Sequence, residues 1–482
     1  LNKMALKLLN TLGKKKQAFK AIKGKSVGLY TCGPTVYNYD HLGHAWNYTA
    51  ADILRRVLEY DGYKVKHVMN ITDVGHLVGD SDEGEDKMEK AAKAQHKSAW
   101  ELADFYTKVF MENREKLNFL PPHVVCKATN HIKEMITLVK KLEAKGIAYK
   151  ISDGMYFDIS KYPKYGQLSG NITEQLKAGA RIEVNPEKKN PSDFALWKFS
   201  PKNEKRQMEW DSPWGKGFPG WHIECSAMSM KYLGDSFDLH TGGEDNIFPH
   251  HESEIAQSES ATQKKFVNYW SHTRFLMVDG QKMSKSLNNF YRIQDLEEKG
   301  FKPLALRYLF MTSSFRSQFN FTFDSLKSAQ TTLEKLYNFI RKLRTMKGKA
   351  ANKELATKIS EVKNKFDEAI NDDLNMPNAL VAINEFMHSI NKQFDENKIS
   401  GAQAKKILAA MFGFDKVLGL KLNEVKAEEK LPLEVMKLIK QREQARKNKD
   451  WKTSDKIRNE LKAKGVVLED RPDGTTGWKM AN

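Results

Sequence analysis

The feature that most constrains the fold is a strand–helix–strand pattern near the start of the chain. The stretch "GKSVGLYTCGPTVY" has the character of an apolar strand that runs into a Gly-Pro turn, and "KVKHVMNITDVG" that of a second strand, which stops at Asp73 and Gly75. Between them, apolar residues recur at steps of three or four from Leu42 to Val57, which is the spacing of a helix. Polar motifs at the strand ends of such a unit are typical of a doubly wound parallel sheet, which binds ligands at that edge.

The composition and the hydrophobic spacing of the sequence change several times after this unit. The polar stretch "NPEKKNPSDF" indicates an insertion, helical spacing dominates after Gly280, and the charged stretch "NEVKAEEKLP" separates the last segment. We therefore expect an α/β protein with a Rossmann-like domain that contains an insertion, followed by a helical bundle and a small C-terminal domain. The predicted regions are 1–125 (first half of the nucleotide-binding domain), 126–205 (connective insertion), 206–275 (second half), 276–330 (loop and contact region), 331–425 (helical bundle) and 426–482 (C-terminal domain).

Composition limits the classes of protein that the chain can represent. At 482 residues it is too long for one core, and it has no apolar run of about 18 residues that would span a membrane. Three cysteines are too few for a disulfide framework, and the opening residues lack the apolar core of a signal peptide, so we expect a cytoplasmic protein. The net charge of +18 fits either a solvated lysine-rich surface or a polyanionic partner.

A pair of histidines opens the predicted helix. In "HLGH", His41 and His44 stand where unpaired backbone N–H groups and the positive end of the helix dipole favour phosphate oxygens. Both imidazoles can donate hydrogen bonds to the same phosphates, and Gly43 lets a base or a ribose approach the backbone. Helix capping by one histidine and burial of the other is the alternative, because the motif is short.

A loop about 240 residues later carries two lysines. In "VDGQKMSKSLNN", Lys282 and Lys285 stand on either side of Ser284, close to a glycine. Two ammonium groups on a short loop can follow negative charge as it moves onto a departing pyrophosphate. An ordinary basic turn is the alternative for this lysine spacing taken alone.

In this order, "HLGH" and "KMSKS" together resemble the two signature motifs of the class I aminoacyl-tRNA synthetases, which activate an amino acid with ATP and load it on tRNA. The resemblance implies a set of ATP-binding residues: His41, Gly43, His44, Lys282, Ser284 and Lys285. The two histidines and the two lysines of this set would be catalytic, stabilising the transition state at the α-phosphate while magnesium pyrophosphate leaves.

Cysteine, histidine and glutamate residues outside these motifs form a second candidate site. Cys32 lies in "YTCGPTVY" and Cys225 in "GWHIECSAM". The stretch "FPHHESE" adds His250 and Glu254, which are four residues apart and would share one helix face. Two thiolates, an imidazole and a carboxylate suit zinc, although each residue alone also fits an ordinary structural role.

These three stretches resemble the cysteinyl-tRNA synthetases, whose zinc is held by residues that match Cys32, Cys225, His250 and Glu254. The resemblance implies one Zn²⁺ per chain, which binds the substrate as a thiolate and prefers it to the hydroxyl of serine. We expect Glu254 to be the weak ligand, because the thiolates already supply negative charge. By geometry His251 could replace His250, but its spacing of three to Glu254 departs from the family pattern. The implied cysteine pocket consists of Cys32, Gly33, Thr72, Trp221 and His240.

The last domain resembles the family's anticodon-binding tail. Its sequence predicts a basic amphipathic helix pair followed by a strand at "GVVLED". The residues that could follow an RNA backbone are Arg442, Arg446, Lys447, Lys449 and Lys452, and those that could stack on a base are Trp451 and Trp478. A charged solvated helix pair with tryptophans in a small core is the alternative.

Three features depart from the family pattern. Asn288 replaces the glycine of "SLGN", Gly477 is an extra residue within the family's "GTTW", and the acidic stretch after "NITDVGH" is longer than the usual form, which puts a role for Asp73 in doubt. The resemblance otherwise covers the whole chain. It implies a monomer whose partners are ATP with Mg²⁺, L-cysteine and tRNA(Cys), with no membrane.

Two other functions compete with this interpretation. A cysteine ligase with an amino-sugar acceptor would share both motifs and the zinc site but would lack the complete tail. A zinc-stabilised RNA-binding protein would bind tRNA without forming an adenylate.

Overall fold

The protein forms two compact units, Leu1–Val425 and Lys426–Asn482. Among the residues described, every helix is too short or too polar to cross a membrane. The computed structural model describes residues 4–75, 86–170, 185–201, 206–284, 287, 289–348, 353–396, 398–427, 433–470 and 476–480.

The first unit contains strands mainly in its first two thirds and helices throughout. Its strands are β1 (Lys7–Asn10), β2 (Lys15–Ala18), β3 (Ser26–Thr31), β4 (Lys64–Ile71), β5 (Val124–Lys127), β6 (Ala148–Ile151), β7 (Gly154–Phe157), β8 (Phe194–Phe199), β9 (Gly217–Pro219), β10 (Phe237–Gly243), β11 (Val267–Thr273), β12 (Leu276–Val278), β13 (Gln281–Lys282) and β14 (Phe319–Phe321). Its helices are α1 (Leu42–Tyr60), α2 (Lys87–Ala94), α3 (Ala99–Lys116), α4 (Ile132–Ala144), α5 (Trp221–Leu233), α6 (Glu252–Thr262), α7 (Ile293–Glu298), α8 (Pro303–Phe310), α9 (Phe323–Thr345), α10 (Leu355–Asn371), α11 (Met376–Asp395) and α12 (Gly401–Leu418).

A parallel sheet lies at the centre of this unit. Its strand order is β11–β10–β3–β4–β5, and all of its pairings are parallel. The chain passes from β3 to β4 and β5 on one side and later adds β10 and β11 on the other, so the order reverses between β3 and β10. Ligands bind at such a reversal, outside the carboxyl ends of the strands. The predicted doubly wound sheet is confirmed, and Cys32 follows β3 at this point.

The strand–helix–strand pattern forms as predicted, because the apolar residues of both strands and of the helix are buried in the core. The second half of β4 is buried on both faces, as a central parallel strand requires. Helix α1 is buried along most of its length, and Trp46 packs against Phe310, Phe315 and Phe319 from the region after the lysine loop. The helix that carries the histidine pair is therefore fixed in the core.

A second, antiparallel sheet follows in the region of the predicted insertion. Its order is β6–β7–β8–β9, and it continues past residue 205 to Gly217–Pro219, where Trp197 of β8 pairs with Pro219. Its residues share a core with the α4 and α5 helices and with the cysteines Cys32 and Cys225. The regional boundaries given from the sequence stay predictions.

The lysine loop begins in a short hairpin. Strands β12 and β13 pair antiparallel around Asp279 and Gly280, both of which have positive φ, the backbone that a tight Asp-Gly hairpin turn requires. Lys282 ends β13. The helical region predicted after Gly280 is also present, and α9 and α11 are two of its helices.

The second unit contains α13 (Leu433–Lys447), α14 (Trp451–Ala463), β15 (Val466–Asp470) and β16 (Thr476–Met480), and the two strands pair antiparallel. Its small core consists of Val435, Ile439, Ile457, Leu461, Val466 and Leu468. The predicted helix pair and strand are confirmed. The prediction that Arg442 follows an RNA backbone is wrong, because its side chain is only 1% exposed. Trp451 is 58% exposed and lies outside this core, whereas the side chain of Trp478 lies outside the described residues.

Candidate active site and metal centre

The histidine pair is organised by the first turn of α1. His41 is the N-cap, and its Nδ1 accepts a hydrogen bond from the backbone N–H of Gly43 at 3.1 Å. The backbone N–H of His41 in turn donates to Nδ1 of His44 at 3.1 Å. The two rings stack with centroids 3.9 Å apart. This reciprocal capping box fixes both rings at the positive end of a 19-residue helix.

Burial and these hydrogen bonds together set the protonation state of the two histidines. Burial, together with the charge of His44, lowers the pKa of His41 to about 2, and burial lowers the pKa of His44 to about 4. Both rings are therefore neutral near pH 7. Because each Nδ1 accepts a hydrogen bond, the proton of each neutral ring is on Nε2. The helix start thus presents two imidazole N–H donors, which suit phosphate oxygens.

The described part of the lysine loop faces the same place. Lys282 lies 5.6 Å from the ring centroid of Phe275, and the backbone N–H of Ser284 donates to Oδ1 of Asn289 at 2.7 Å. The Ser284 hydroxyl accepts from the backbone N–H of Leu287 at 3.2 Å, so this serine shapes the turn. Lys285 and Asn288 lie outside the described residues, and the predictions made for them stay predictions.

The thiol cluster forms behind the carboxyl ends of β3 and β10. The sulfur atoms of Cys32 and Cys225 are 3.7 Å apart, and Sγ of Cys32 is 3.9 Å from Oε1 of Glu254. The same Glu254 oxygen is 3.1 Å from Nε2 of His250. The four donor atoms lie within 4.8 Å of one another, and all four residues are buried. The four predicted ligands are therefore together in one group that can hold a metal ion.

Electrostatics at this cluster favour a cation. Burial alone would lower the pKa of His250, but its hydrogen bonds to Cys225 and Glu254 raise that pKa to about 10. Burial alone would raise the pKa of Cys225, but hydrogen bonds from Cys32 and His250 lower it below its ordinary value. Burial raises the pKa of the Cys32 thiol. Since buried charges must be paired or bound to metal, a group that stabilises an imidazolium this strongly is suited to a metal cation.

A second donor group shares two members with the first. Cys32, His240, His251 and Glu254 also have donor atoms within 4.8 Å of one another. Nε2 of His251 is 3.2 Å from Sγ of Cys32, and Nε2 of His240 is 3.1 Å from Oε2 of Glu254. The alternative of His251 that the sequence left open is therefore also present in the geometry. His240, predicted to line the cysteine pocket, is fully buried against the glutamate.

The other predicted pocket residues divide into two kinds. Trp221 starts α5 and stacks on His250 with ring centroids 4.5 Å apart, so it forms a wall of the metal cluster. Gly33 donates its backbone N–H to Oδ1 of Asn70 at 2.8 Å, and a Cβ there would lie 1.6 Å from the Asn70 carbonyl oxygen. Thr72 is buried, and its hydroxyl donates to Oε2 of Glu224 at 3.0 Å. Thr72 therefore supports the site from within the core.

One cavity connects the two sites. A cleft of about 390 Å³ is lined by residues from both: Cys32, Gly33, His41, Gly43, His44, Trp221 and Lys282. Sequence reasoning missed the loop after β10, whose Asp245 and Asn246 line the same cleft. The acidic run "GEDN" at the end of a strand was the signal that could have found it. The cleft therefore extends from the thiol cluster to the histidine pair.

Family models account for most of the chain. The model described as "tRNA synthetases class I (C) catalytic domain" matches residues 18–331. The "DALR domain" matches residues 365–423, and the "Cysteinyl-tRNA ligase anticodon binding domain" matches residues 428–477.

Similar proteins match from end to end. The chain is 45% identical to the cysteine–tRNA ligase of Treponema denticola, over 99% of this chain and 100% of the relative. It is 44% identical to cysteine–tRNA ligase 1 of Burkholderia lata, over 99% and 98% of the two chains.

Solved structures share the fold at low sequence identity. A Mycobacterium tuberculosis methionyl-tRNA synthetase in complex with methionyl-adenylate aligns with a TM-score of 0.58 at 18% identity, over 82% of this chain and 88% of that one. A LeuRS from Agrobacterium radiobacter, in a ternary complex with tRNA and LeuAMS, aligns with a TM-score of 0.60 at 12% identity, over 84% and 85%. The chain belongs to the class I aminoacyl-tRNA synthetases and, within them, to the cysteine–tRNA ligase family.

Proposed function

We propose that this chain is a cysteine–tRNA ligase. It activates L-cysteine with ATP to cysteinyl-adenylate and transfers the cysteine to the 3′-terminal adenosine of tRNA(Cys). The observation that carries the proposal is the shared cleft, in which the thiol cluster at Cys32 and the neutral histidine pair meet. An amino acid recognised through its sulfur and a nucleotide held by its phosphates would there be brought together.

Adenylate formation would use the groups at the helix start. The cysteine carboxylate attacks the α-phosphorus of ATP, a new O–P bond forms, and the bond to the β-phosphate breaks as magnesium pyrophosphate leaves. The Nε2–H groups of His41 and His44 would donate to the phosphate oxygens, and the α1 dipole would favour the added charge. Lys282 would follow the departing pyrophosphate, together with Lys285, whose role rests on the sequence motif.

The donor set fits one Zn²⁺ per chain, held by Cys32, Cys225, His250 and Glu254. Two thiolates bound to tetrahedral zinc stand about 3.8 Å apart, and the two sulfur atoms here are 3.7 Å apart. When bound, the ion supplies preference for a substrate thiolate over the hydroxyl of serine. Trp221, stacked on His250, would exclude water from this end of the cleft.

The tail supports tRNA as the acceptor and speaks against the amino-sugar alternative. Residues 428–477 match the anticodon-binding model, and this unit exposes Trp451 with Lys447, Lys449 and Lys452. Exposed aromatic rings among cations suit splayed RNA bases. We also propose that the enzyme acts as a monomer in the cytoplasm, where its three free cysteines would stay reduced.

Cysteine-dependent exchange of pyrophosphate into ATP tests the function directly. Protein of measured zinc content should catalyse exchange with L-cysteine, should exchange at least about a hundredfold more slowly with L-serine, and should charge tRNA(Cys). Binding of tRNA without any cysteine-dependent exchange would instead support the non-catalytic RNA-binding protein.

Replacing Gly43 with alanine should weaken ATP binding without weakening the fold. A Cβ at Gly43 would lie 2.9 Å from Cε1 and 3.0 Å from Nδ1 of His41, so the ring must leave the position in which it caps the helix. We expect the KM for ATP to rise about tenfold in pyrophosphate exchange and the KM for cysteine to change less than twofold. The free energy of unfolding should change by less than about 1 kcal/mol, because the stability gain from the helix propensity of alanine offsets the lost cap.

The chain offers a matched control for this variant. Gly413 also lies within a helix, α12, and a Cβ there would meet nothing within 4 Å. Gly413→Ala should therefore give the stability gain with unchanged kinetics. An unaltered KM for ATP in Gly43→Ala would contradict the assigned role of the His41 ring.

Deleting residues 426–482 should separate the two half-reactions. The deleted part is a compact unit with its own core, so cysteine-dependent pyrophosphate exchange should remain within about twofold of the full chain. The kcat/KM for tRNA charging should fall about a hundredfold, since stacking and backbone contacts contribute about 1–3 kcal/mol per base. Steady-state charging assays measure the loss, and equal charging by the truncated chain would refute the tail's assignment.

A further inference from the structure

The ring of His272 stands next to the thiol site. Nε2 of His272 is 2.7 Å from Nδ1 of His251, whose Nε2 is 3.2 Å from Sγ of Cys32. Whichever way the protons run along this chain of rings, the orientation of His251 toward the sulfur depends on the position of His272.

Two separate elements hold His272. On one side, Nδ1 of its ring is 2.7 Å from the hydroxyl of Thr11, which directly follows strand β1. On the other side, Nη1 of Arg316 donates to the backbone carbonyl of His272 at 2.8 Å and to the hydroxyl of Ser271 at 3.2 Å. The end of β11 is therefore held between the antiparallel hairpin of β1 and β2 and the segment that precedes β14.

A single carboxylate from the helical region joins these two elements. Oδ1 of Asp373 accepts from Nη2 of Arg316 at 2.8 Å and from the backbone N–H of Leu9 at 2.8 Å, and Oδ2 accepts from Nε of Arg316 at 3.0 Å. The backbone N–H of Asp373 also donates to the carbonyl of Lys7 at 2.9 Å. Asp373 lies between α10 and α11 with φ at 56°, a backbone that aspartate and asparagine tolerate well.

We propose that Asp373 is a positioning residue for cysteine recognition, acting from the helical region through Arg316 and strand β1 on His272, and through His272 on His251 beside Cys32. A bidentate arginine–carboxylate pair is rigid in direction as well as strong, so it sets the position of both partners. The side chains of Arg316 and Asp373 are 16% and 10% exposed, so solvent competes little with the pair. The inference rests on the proposed function. It adds that a residue of the helical region helps to determine how the amino acid is bound.

The neighbouring residue provides a matched control. Asp372 also forms an ion pair with a basic residue, Lys16, at 2.6 Å, but both side chains are about half exposed, at 50% and 44%. Asp373→Asn and Asp372→Asn thus make the same chemical change one residue apart, and only the first affects the contacts to Arg316 and Leu9. Arg316→Lys serves as a second variant, because an ammonium group cannot reproduce the bidentate pair with Asp373 while it also reaches the His272 carbonyl.

Pyrophosphate exchange and calorimetry test the proposal on the full-length, zinc-loaded protein. In Asp373→Asn and Arg316→Lys, the KM and the dissociation constant for L-cysteine should rise about tenfold, while the KM for ATP changes less than twofold. Asp372→Asn should match the wild type in all of these. If Asp373→Asn does not fold, Arg316→Lys alone decides.

Three results would overturn parts of this account separately. If Asp373→Asn and Arg316→Lys bind cysteine as tightly as Asp372→Asn does, the inference is overturned and the proposed function is left intact. Equal rises in the KM for cysteine and for ATP would show a general structural role and would also overturn it. Wild-type protein without any cysteine-dependent exchange would overturn the proposed function itself.

Discussion

Replacing Cys225 with serine should lower kcat/KM for cysteine in pyrophosphate exchange about a thousandfold, which corresponds to about 4 kcal/mol. Serine at this position removes one of the two sulfur donors that lie 3.7 Å apart. A hydroxyl is a poor ligand for zinc, so the bound metal should fall from one per chain to near zero after mild chelation. Without the ion, the pocket has no strong means to prefer a thiol to a hydroxyl. The metal content and the exchange rate should therefore fall together.

Cys126 provides the control for this experiment. It is also a free cysteine, its exposed fraction of 2% equals that of Cys225, and it lies outside both donor groups. Its sulfur is 3.4 Å from the backbone carbonyl of Met69, an acceptor that a serine hydroxyl can also use. Cys126→Ser should keep its metal and lose less than about threefold in rate. Full exchange activity in metal-free Cys225→Ser would contradict the proposed role of the cluster.

The central part of the fold could be predicted from local pattern alone. The apolar residues of α1 from Leu42 to Val57 recur with the period of a helix, and β3 and β4 are short, largely buried runs on either side of it. The connection between parallel strands must cross over, so the polar residues that follow β3 and β4 meet at one edge. Cys32 and the histidine pair both follow β3, so they lie at the edge where the sequence pattern predicts a ligand site.

The ligand set was harder, because it depends on contacts between residues far apart in the chain. Cys32 follows β3 and Cys225 lies on α5, so the two meet through the packing of that helix against the sheet, which no local signal specifies. The family resemblance supplied their association. The sequence left His251 open as an alternative ligand, but neither pattern nor resemblance indicated that its ring would be held by His272.

The exposure of one charged residue was predicted incorrectly. Arg442 belongs to a basic helix, and composition alone suggested an exposed residue that contacts RNA. The helix α13 turns that side chain inward, and Nη1 of Arg442 is 3.4 Å from the hydroxyl of Thr476. A charged side chain that is buried by tertiary contacts has the same sequence signature as an exposed one, so its location could not be predicted.

A buried cluster of charged side chains shows the same limit, and it includes Asp52 of α1, the helix that carries the histidine pair. Oδ2 of Asp52, on α1, accepts from Nε of Arg56 at 2.7 Å and from Nη2 of Arg307 at 2.6 Å. Arg307 also donates to the carbonyl of Leu418 at the end of α12 and to that of Leu117 at the end of α3, at 2.6 and 3.1 Å. Burial alone would raise the pKa of Asp52, but the two guanidinium groups, Arg307 foremost, lower it from 3.8 to about 2.

Replacing Arg307 with methionine should therefore lower the free energy of unfolding by about 3–5 kcal/mol, because it leaves a buried carboxylate short of a partner and two helix-end carbonyls without a donor. Arg341→Met is the control. The ion pair of Arg341 with Glu334 has the similar length of 2.7 Å, but its side chains are 28% and 39% exposed, so this variant should lose less than about 1 kcal/mol.

The loss of unfolding free energy in Arg307→Met should shrink as the pH falls from about 4 toward 2. The pKa of Asp52 is lower in the folded protein than in the unfolded chain. Its ionised carboxylate therefore stabilises the fold fully above the unfolded pKa of 3.8, and this stabilisation is lost as the pH falls through the folded pKa of about 2. Urea unfolding of both variants and the wild type at pH 7 and at pH 3 measures this, and a loss at Arg307 that is the same at both pH values would show that lost packing, not the ion pair, destabilises the variant.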